Sequence, residues 1–137
     1  FFGQGIEVIC RYRAVGSFIK RFGTYLESGT TLPGYVEMTL KDDARQDPFI
    51  NQEALEILGI MNAADYQTVV GLTKQISAVI QTELATKGLE LYDIKLEFGK
   101  GQETGEVLLI DELSAGNMRV YKGDEVVPPL ELETYLF

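Results

Sequence analysis

Asp93, Lys95 and Glu97 alternate with Ile94, Leu96 and Phe98 across the stretch Leu-Tyr-Asp-Ile-Lys-Leu-Glu-Phe-Gly that ends at Gly99. This is the period-two pattern of a half-buried strand, with aliphatic and aromatic side chains on one face and carboxylate, amine and carboxylate on the other. Alternate side chains on a strand stand roughly 6.5–7 Å apart, close enough for all three to touch one polyphosphate. A second strand, Val107-Leu108-Leu109-Ile110-Asp111-Glu112, follows a glycine-bounded turn from Gly99 to Gly105. A symmetric hairpin about that turn sets Asp93 directly opposite Asp111. Opposed like charges destabilise a sheet, so a cation is expected beside them: Lys95, a divalent metal, or both. Alternating charge is also the mark of a solvated sheet face, and spacing alone does not separate the two readings.

Other elements must bring further groups to this patch. Ile6 to Tyr12 reads as a strand with Val8 and Cys10 on one face and Glu7, Ile9 and Arg11 on the other. A Gly16-Ser17 break follows. Arg11, Arg13, Lys20 and Arg21 supply a third of the 12 Lys and Arg residues within eleven positions. They form either a solvated face or an anion site, with Gly16 permitting close backbone approach and Ser17 offering its hydroxyl. Gly23 to Gly34 is rich in turn residues. Tyr35 to Lys41 alternates again, Val36, Met38 and Leu40 against Glu37, Thr39 and Lys41, and ends at a lysine. The loop after it, Asp42-Asp43 to Asp47-Pro48, serves turn chemistry or ligand binding.

The middle of the chain is scaffold. Asn51 can cap a short helix from Gln52 to Leu58, stopped at Gly59. Asn62 caps the longest helix, with Asp65 in the first turn where the helix dipole favours an anion. Val69, Leu72, Ile76, Val79, Ile80 and Leu84 form its apolar stripe, and Lys87-Gly88 closes it. Val120 and Tyr121 read as a short strand. Pro128-Pro129 opens a last helix through Leu136. The order β, β, α, α, β, β, β, α is that of an α+β domain, a largely antiparallel sheet backed by helices, with residues 1–137 forming one domain.

Composition removes several classes of chemistry. A net charge of −9 argues against nucleic-acid binding, which needs a basic footprint. An anionic ligand is therefore held by local Lys and Arg or through a metal. With no histidine, Ser-His-Asp, Cys-His and His-metal sites are excluded. The single cysteine, Cys10, excludes an internal disulfide, lies in an apolar run and fits a reducing compartment. No stretch reads as a signal peptide or approaches the ~20 apolar residues of a membrane span, so the expected location is cytoplasmic. The chain opens Phe-Phe-Gly-Gln without methionine, as a processed product or part of something longer would.

Asp93-x-Lys95-x-Glu97-Phe98-Gly99, then a strand ending Asp111-Glu112 and an arginine, Arg119, resembles the SAICAR synthetase family. Arg11 with Gly16-Ser17-Phe18 and Lys20-Arg21 is similar to the family's arginine and Gly-Ser segment. Val36-Glu37 leading to Lys41-Asp42-Asp43 and Asp47-Pro48 is similar to its central signature. The matching blocks run in order from about Glu7 to Arg119, most of the chain, and are specific together.

The resemblance implies the larger, substrate- and metal-side part of an ATP-grasp-like fold. It also implies an ATP- and Mg²⁺-dependent ligase of purine biosynthesis, joining carboxyaminoimidazole ribonucleotide to L-aspartate. By similarity, Glu97 and Asp111 would hold Mg²⁺, and Lys41, Lys95, Glu97 and Asp111 would contact the nucleotide. Lys95 and Asp93 would take the catalytic roles, while Arg11, Ser17, Asp47, Asp93 and Arg119 would bind substrate. Family members usually carry a β-rich N-terminal half, with a lysine and a glycine loop over the nucleotide, to which nothing here corresponds. Homo-oligomerisation or association with such a portion is therefore expected, and a non-catalytic family remnant that binds nucleotide or a partner chain is the alternative. A different acid–amine ligase or kinase-like enzyme on the same scaffold is a third reading. Before Arg119 the family usually has Ser-Pro-Asp-Ser/Thr-Ser, where this chain has Ser114-Ala115-Gly116-Asn117-Met118. Tyr12 stands where asparagine is common.

Overall fold

The computed structural model describes residues 2–110, 117–129, 131 and 132. Its centre is β1 (Ile6–Arg13), which pairs antiparallel with β2 (Thr31–Leu40) on one side and β4 (Glu90–Lys100) on the other. The sheet extends outward through β3 (Phe49–Ile50) beyond β2, and through β6 (Met118–Lys122) and β7 (Glu125–Val126) beyond β4. β5 (Val107–Leu109) pairs with the last residues of β4. Every pairing is antiparallel, so the α+β class expected from the pattern holds.

Among the described residues three α-helices connect these strands: α1 (Ser17–Phe22), α2 (Gln52–Ile57) and α3 (Ala63–Thr86), with a short 3-10 turn at Asp43–Arg45. Asn51 and Asn62 cap α2 and α3 as expected, their side-chain oxygens accepting from Ala54 N and Asp65 N at 2.8 Å. Each satisfies one of the donors a helix start leaves open. Val69 and Leu84 of α3 join Val8, Cys10, Ile94, Leu96, Phe98 and Val120 in one core, with Leu72, Ile76 and Ile80 packed at its margin. This apolar layer covers one face of the sheet only.

The apolar stripe read along α3 is corrected at one position. Val79 is 70% exposed, while Thr73 and Ser77 are fully buried. At 3.6 residues per turn, Val79 lies about 200° round the helix from Ser77. The buried line therefore runs Val69, Thr73, Ser77, Leu84, and two hydroxyl residues hold places that hydrophobicity alone assigns elsewhere. Burial beneath this helix raises the Cys10 thiol pKa above its usual value, against the opposing effect of the Ser77 hydroxyl.

Three elements carry no periodic signal. α1 is too short for one, β3 and β7 have two residues each, and β2 starts at Thr31 inside the stretch read as turn. Pro33 and Gly34 gave that stretch its turn character. Among the described residues β3 reaches only Met38 and Thr39 of β2, which leaves Pro33 at an edge where it needs no donor. Pro129, Glu131 and Leu132 are helical, and Leu132 N donates to Pro128 O at 2.8 Å. The rest of the last predicted helix, Leu130 and 133–137, lies outside the described residues, as do Asp111 and Glu112.

Leu84→Ala removes a fully buried side chain and is expected to cost about 2–5 kcal/mol in urea unfolding. Val79→Ala should change stability by less than about 0.5 kcal/mol. Equal losses would show that the helix packs by another face.

Candidate functional site: a charged sheet face

The face of the sheet opposite the α3 layer is polar, and strand register arranges it in rows. In the first row Tyr35, Arg11, Asp93 and Arg119 are successive neighbours across β2, β1, β4 and β6. The second holds Glu37, Ile9 and Lys95; the third holds Thr39, Glu7 and Glu97. Residues far apart in sequence are thus set side by side by pairing alone.

The register corrects the symmetric hairpin. β4 runs through Gly99 to Lys100, and Phe98, Gly99 and Lys100 face Leu109, Leu108 and Val107. Gly99 is a strand residue, and the turn begins at Gly101, whose amide donates to Glu106 O at 2.8 Å. Asp93 accordingly faces Arg11 and Arg119 rather than Asp111. The like-charge pair that the face does contain is Glu7 opposite Glu97. A lysine reaches each of these carboxylates, Lys41 Nζ at 2.6 Å from Glu97 Oε2 and Lys95 Nζ at 3.6 Å from Glu7 Oε2.

In the first row Asp93 Oδ2 lies 3.5 Å from Arg11 Nη1 and 3.4 Å from Arg119 Nη1. Asp93 is 7% exposed and Arg11 2%, so both charges are largely out of water and depend on these partners. Burial pushes the Asp93 carboxyl pKa above the usual range, while Arg119, Arg11 and Lys95 pull it down. Ser17 Oγ accepts from Arg11 Nη2 at 2.8 Å, joining the start of α1 to the row. Gly16 precedes it at φ +61°, and a Cβ there would fall 2.0 Å from Arg119 Nη1. The group that lies close to Gly16 is the Arg119 guanidinium, a cation, where the anion-site reading of the sequence sets an anion against the backbone.

A cleft of about 540 Å³ opens over this row. Arg11, Lys20, Lys95 and Arg119 line it against Asp93, the one carboxylate among the described lining residues, with Ser17 and Asn117 at its wall. A smaller hollow of about 90 Å³ adjoins it between Glu7, Lys41, Lys95 and Glu97. Lys95 and Asn117 border both. The predicted residues Arg11, Ser17, Asp93, Lys95 and Arg119 are thus brought together, with Lys41 and Glu97 next door. Asp47 lines neither cavity. Its Oδ1 accepts from Asp42 N at 2.7 Å, the turn chemistry open to an aspartate in such a loop.

Of the basic cluster, Lys20 joins the cleft. Arg13 instead pairs with Glu90 at 2.6 Å, and Arg21 pairs with Glu37 at the same distance. Glu37 also accepts from Arg11 Nε at 2.9 Å. Its place in the Val36-Glu37 signature marked it, but nothing in the spacing assigned it a partner. Gly5 was not singled out either; a Cβ there would meet Lys41 Cδ at 2.8 Å.

Glu97 is 5% exposed, and its Oε1 finds no hydrogen-bond donor among the described residues. A buried carboxylate oxygen without a donor fits a hard cation. No group of three metal-ligating side chains gathers among the described residues; Asp111, the other residue expected beside Glu97, lies outside them. No helix among the described residues is long and apolar enough to cross a membrane.

The same architecture is found in solved SAICAR synthetases. One, described as in complex with ADP, superposes with a TM-score of 0.80 at 31% identity, over 96% of this chain and 55% of the other. Another, from Pyrococcus horikoshii OT3, gives 0.79 at 30% identity, over 96% and 56%. The SAICAR synthetase family profile matches residues 4–131, and the chain belongs to that family. Phosphoribosylaminoimidazole-succinocarboxamide synthase of Clostridium tetani is 56% identical over 132 residues, 96% of this chain and 58% of that protein. The Streptococcus pyogenes serotype M3 protein of the same name is 42% identical over 85% of this chain and 49% of its own length. The chain therefore spans about half the length of these relatives.

Two measurements test this geometry. Gly16→Ala should displace Arg119 and add backbone strain, lowering stability by about 1–3 kcal/mol; an unchanged Tm would place Arg119 elsewhere. The second concerns pH. Because the folded Asp93 pKa is raised, its contribution to stability is fully present below the unfolded value, roughly 3.9. That contribution is lost as pH rises through the folded value. The Tm difference, wild type minus Asp93→Asn, should therefore decrease as pH rises from about 4 towards 7. An increase over that range would contradict the desolvated placement.

Proposed function

We propose that this chain is the substrate- and metal-side portion of an ATP- and Mg²⁺-dependent ligase. The ligase joins carboxyaminoimidazole ribonucleotide to L-aspartate, forming SAICAR in the cytoplasm. The observation that carries this reading is the cleft in which four cations surround one buried carboxylate on an otherwise acidic protein. Family membership and the likeness to a solved SAICAR synthetase with bound ADP support it.

The reaction is an amide ligation. The substrate carboxylate attacks the γ-phosphorus of ATP, giving an acyl phosphate and ADP. The aspartate amine then attacks the acyl carbon and phosphate leaves. Such chemistry asks the protein chiefly for positioning and charge neutralisation. Arg11 and Arg119 would grip the phosphate and carboxylate of the ribonucleotide, the guanidinium fork being suited to oxyanions, with Ser17 beside them. Lys95, half-exposed and bordering both hollows, would neutralise phosphate charge as the phosphoryl group moves between them. Lys41 would reach the nucleotide from the end of β2. Asp93 would orient Lys95 or contact the imidazole. Asp47 would join the substrate site only if its loop rearranged. Mg²⁺, held by Glu97 and Asp111, would supply charge neutralisation at the nucleotide phosphates. Association with the family's β-rich nucleotide-covering portion, or with further copies, would complete the ATP cleft. The partners are small molecules, with no role for nucleic acid or membrane.

The reading is tested in the complete polypeptide by ADP release that requires both aspartate and the carboxylated ribonucleotide. Equal turnover with glutamate would make it a different acid–amine ligase. Lys95→Ala should lower kcat by about 100-fold or more with an unchanged fold, and wild-type turnover would remove the residue from the reaction. Arg119→Ala should raise KM for the ribonucleotide by about tenfold or more, the worth of a charge-assisted hydrogen bond.

A further inference from the structure

Arg11 is a buried cation whose guanidinium is held from several sides. Nε donates to Glu37 Oε2 at 2.9 Å and Nη1 to Val15 O at 3.3 Å. Its carbon sits 5.9 Å from the centre of the Phe18 ring. Among the described residues Nη2 meets only Ser17 Oγ. The two Nη groups thus face Ser17 and Asp93, which line the cleft. Glu37, 7% exposed and outside that lining, stands behind them on Nε.

Glu37 has a second guanidinium on the same oxygen. Arg21 Nη2 reaches Oε2 at 2.6 Å while its guanidinium carbon lies 3.6 Å from the Phe49 ring centroid. Arg21 belongs to α1, the helix that begins with Ser17 and carries Lys20 to the cleft. One carboxylate on β2 therefore ties the central strand to the helix at the cleft's edge. A bare buried Glu37 would need only one counter-charge. Two cations on a single oxygen, each also placed against an aromatic ring, fix a direction as well as a charge.

We propose that Glu37 is the positioning residue of the anion cleft. By holding Nε of Arg11 and the Arg21 end of α1, it presents the Arg11 Nη groups and Ser17 together to an oxyanion of the bound ribonucleotide. Glu37 itself touches no substrate. This rests on the reading that the cleft takes that ribonucleotide.

The test is calorimetric binding of carboxyaminoimidazole ribonucleotide to wild type, Glu37→Gln, Arg11→Gln and the double variant. Alongside, the Arg11 Nε–H signal of wild type is followed by ¹⁵N-resolved hydrogen exchange. Glu37→Gln should weaken binding by about tenfold, the scale of one charged hydrogen bond. Added to Arg11→Gln, it should weaken binding by less than about twofold, because it acts through Arg11. The wild-type Nε–H should be protected. Wild-type affinity in Glu37→Gln, with weak binding in Arg11→Gln, overturns the proposal and leaves the cleft reading standing, as does a full additional loss in the double variant. An unprotected Nε–H in wild type overturns it even where the variants do not fold. No binding by wild type overturns the ribonucleotide reading and this role together.

Discussion

The structure depends on a buried carboxylate shared by two guanidiniums across three adjacent strands. Asp93 on β4 meets Arg11 from β1 and Arg119 from β6. Remove the pairing register and Asp93 loses both guanidiniums, because they lie 82 and 26 positions away along the chain (93 − 11 and 119 − 93). Ion pairs of this kind add little net stability, since desolvation offsets attraction. What they impose is specificity. A slip of one residue in β4 would turn Asp93, Lys95 and Glu97 into the apolar layer beneath α3 and expose Ile94, Leu96 and Phe98. The apolar face and the charged face therefore enforce the same alignment from opposite sides of the sheet.

That mutual enforcement explains where backbone freedom is used. At Gly16 any side chain would collide with Arg119, and at Gly5 it would collide with the Lys41 stem. Both positions have φ in the left-handed or otherwise glycine-favouring region, +61° and +117°. In each case the missing Cβ leaves room for a cation that belongs to the charged face. Glu37 does with charge what these glycines do with space, drawing Arg21 of α1 towards the sheet. One wall of the cleft is thus the start of the six-residue helix α1, held to the sheet by the Glu37–Arg21 pair and by buried Phe18 against Tyr35.

How much of this could be seen in the chain follows from which signals are local. The alternation in β1, β2 and β4, the caps Asn51 and Asn62, and the closing Lys87-Gly88 are all short-range, and all appear as expected. The failures are where a local cue carries two meanings. Gly99 looks like the edge of a turn but sits in a strand facing Leu108; Pro33 and Gly34 look like a turn but lie in a strand. Thr73 and Ser77 look like helix surface but face the core. The site was legible as a set of residue types, because motif spacing and resemblance name Arg11, Asp93, Lys95 and Arg119 directly. Its pairing was not. Which acid opposes which base is set by register: the β4–β5 hairpin centres between 103 and 104 rather than at 102, and Asp93 meets Arg119 through the separate pairing of β6 with β4.

On the proposed function, an acidic protein would bind an anion against its own long-range field. With a net charge of −9, approach of a phosphorylated substrate is opposed at distances beyond a Debye length of about 8 Å only weakly, because salt screens it. Within that distance the local arrangement decides. Carboxylates nearest the cleft are already engaged: Glu37 by Arg11 and Arg21, Glu97 by Lys41, and Asp93 by Arg11 and Arg119. Lys20, Lys95 and Arg119 also line the opening, so an entering oxyanion meets cations whose neighbouring acids are largely neutralised. On that proposal, selectivity would rest on fit to fixed guanidinium forks in a partly desolvated cleft rather than on attraction from afar. For such binding, holding Arg11 rigid would matter more than adding another positive charge, since a mobile cation would be drawn to the surrounding carboxylates before any substrate arrived.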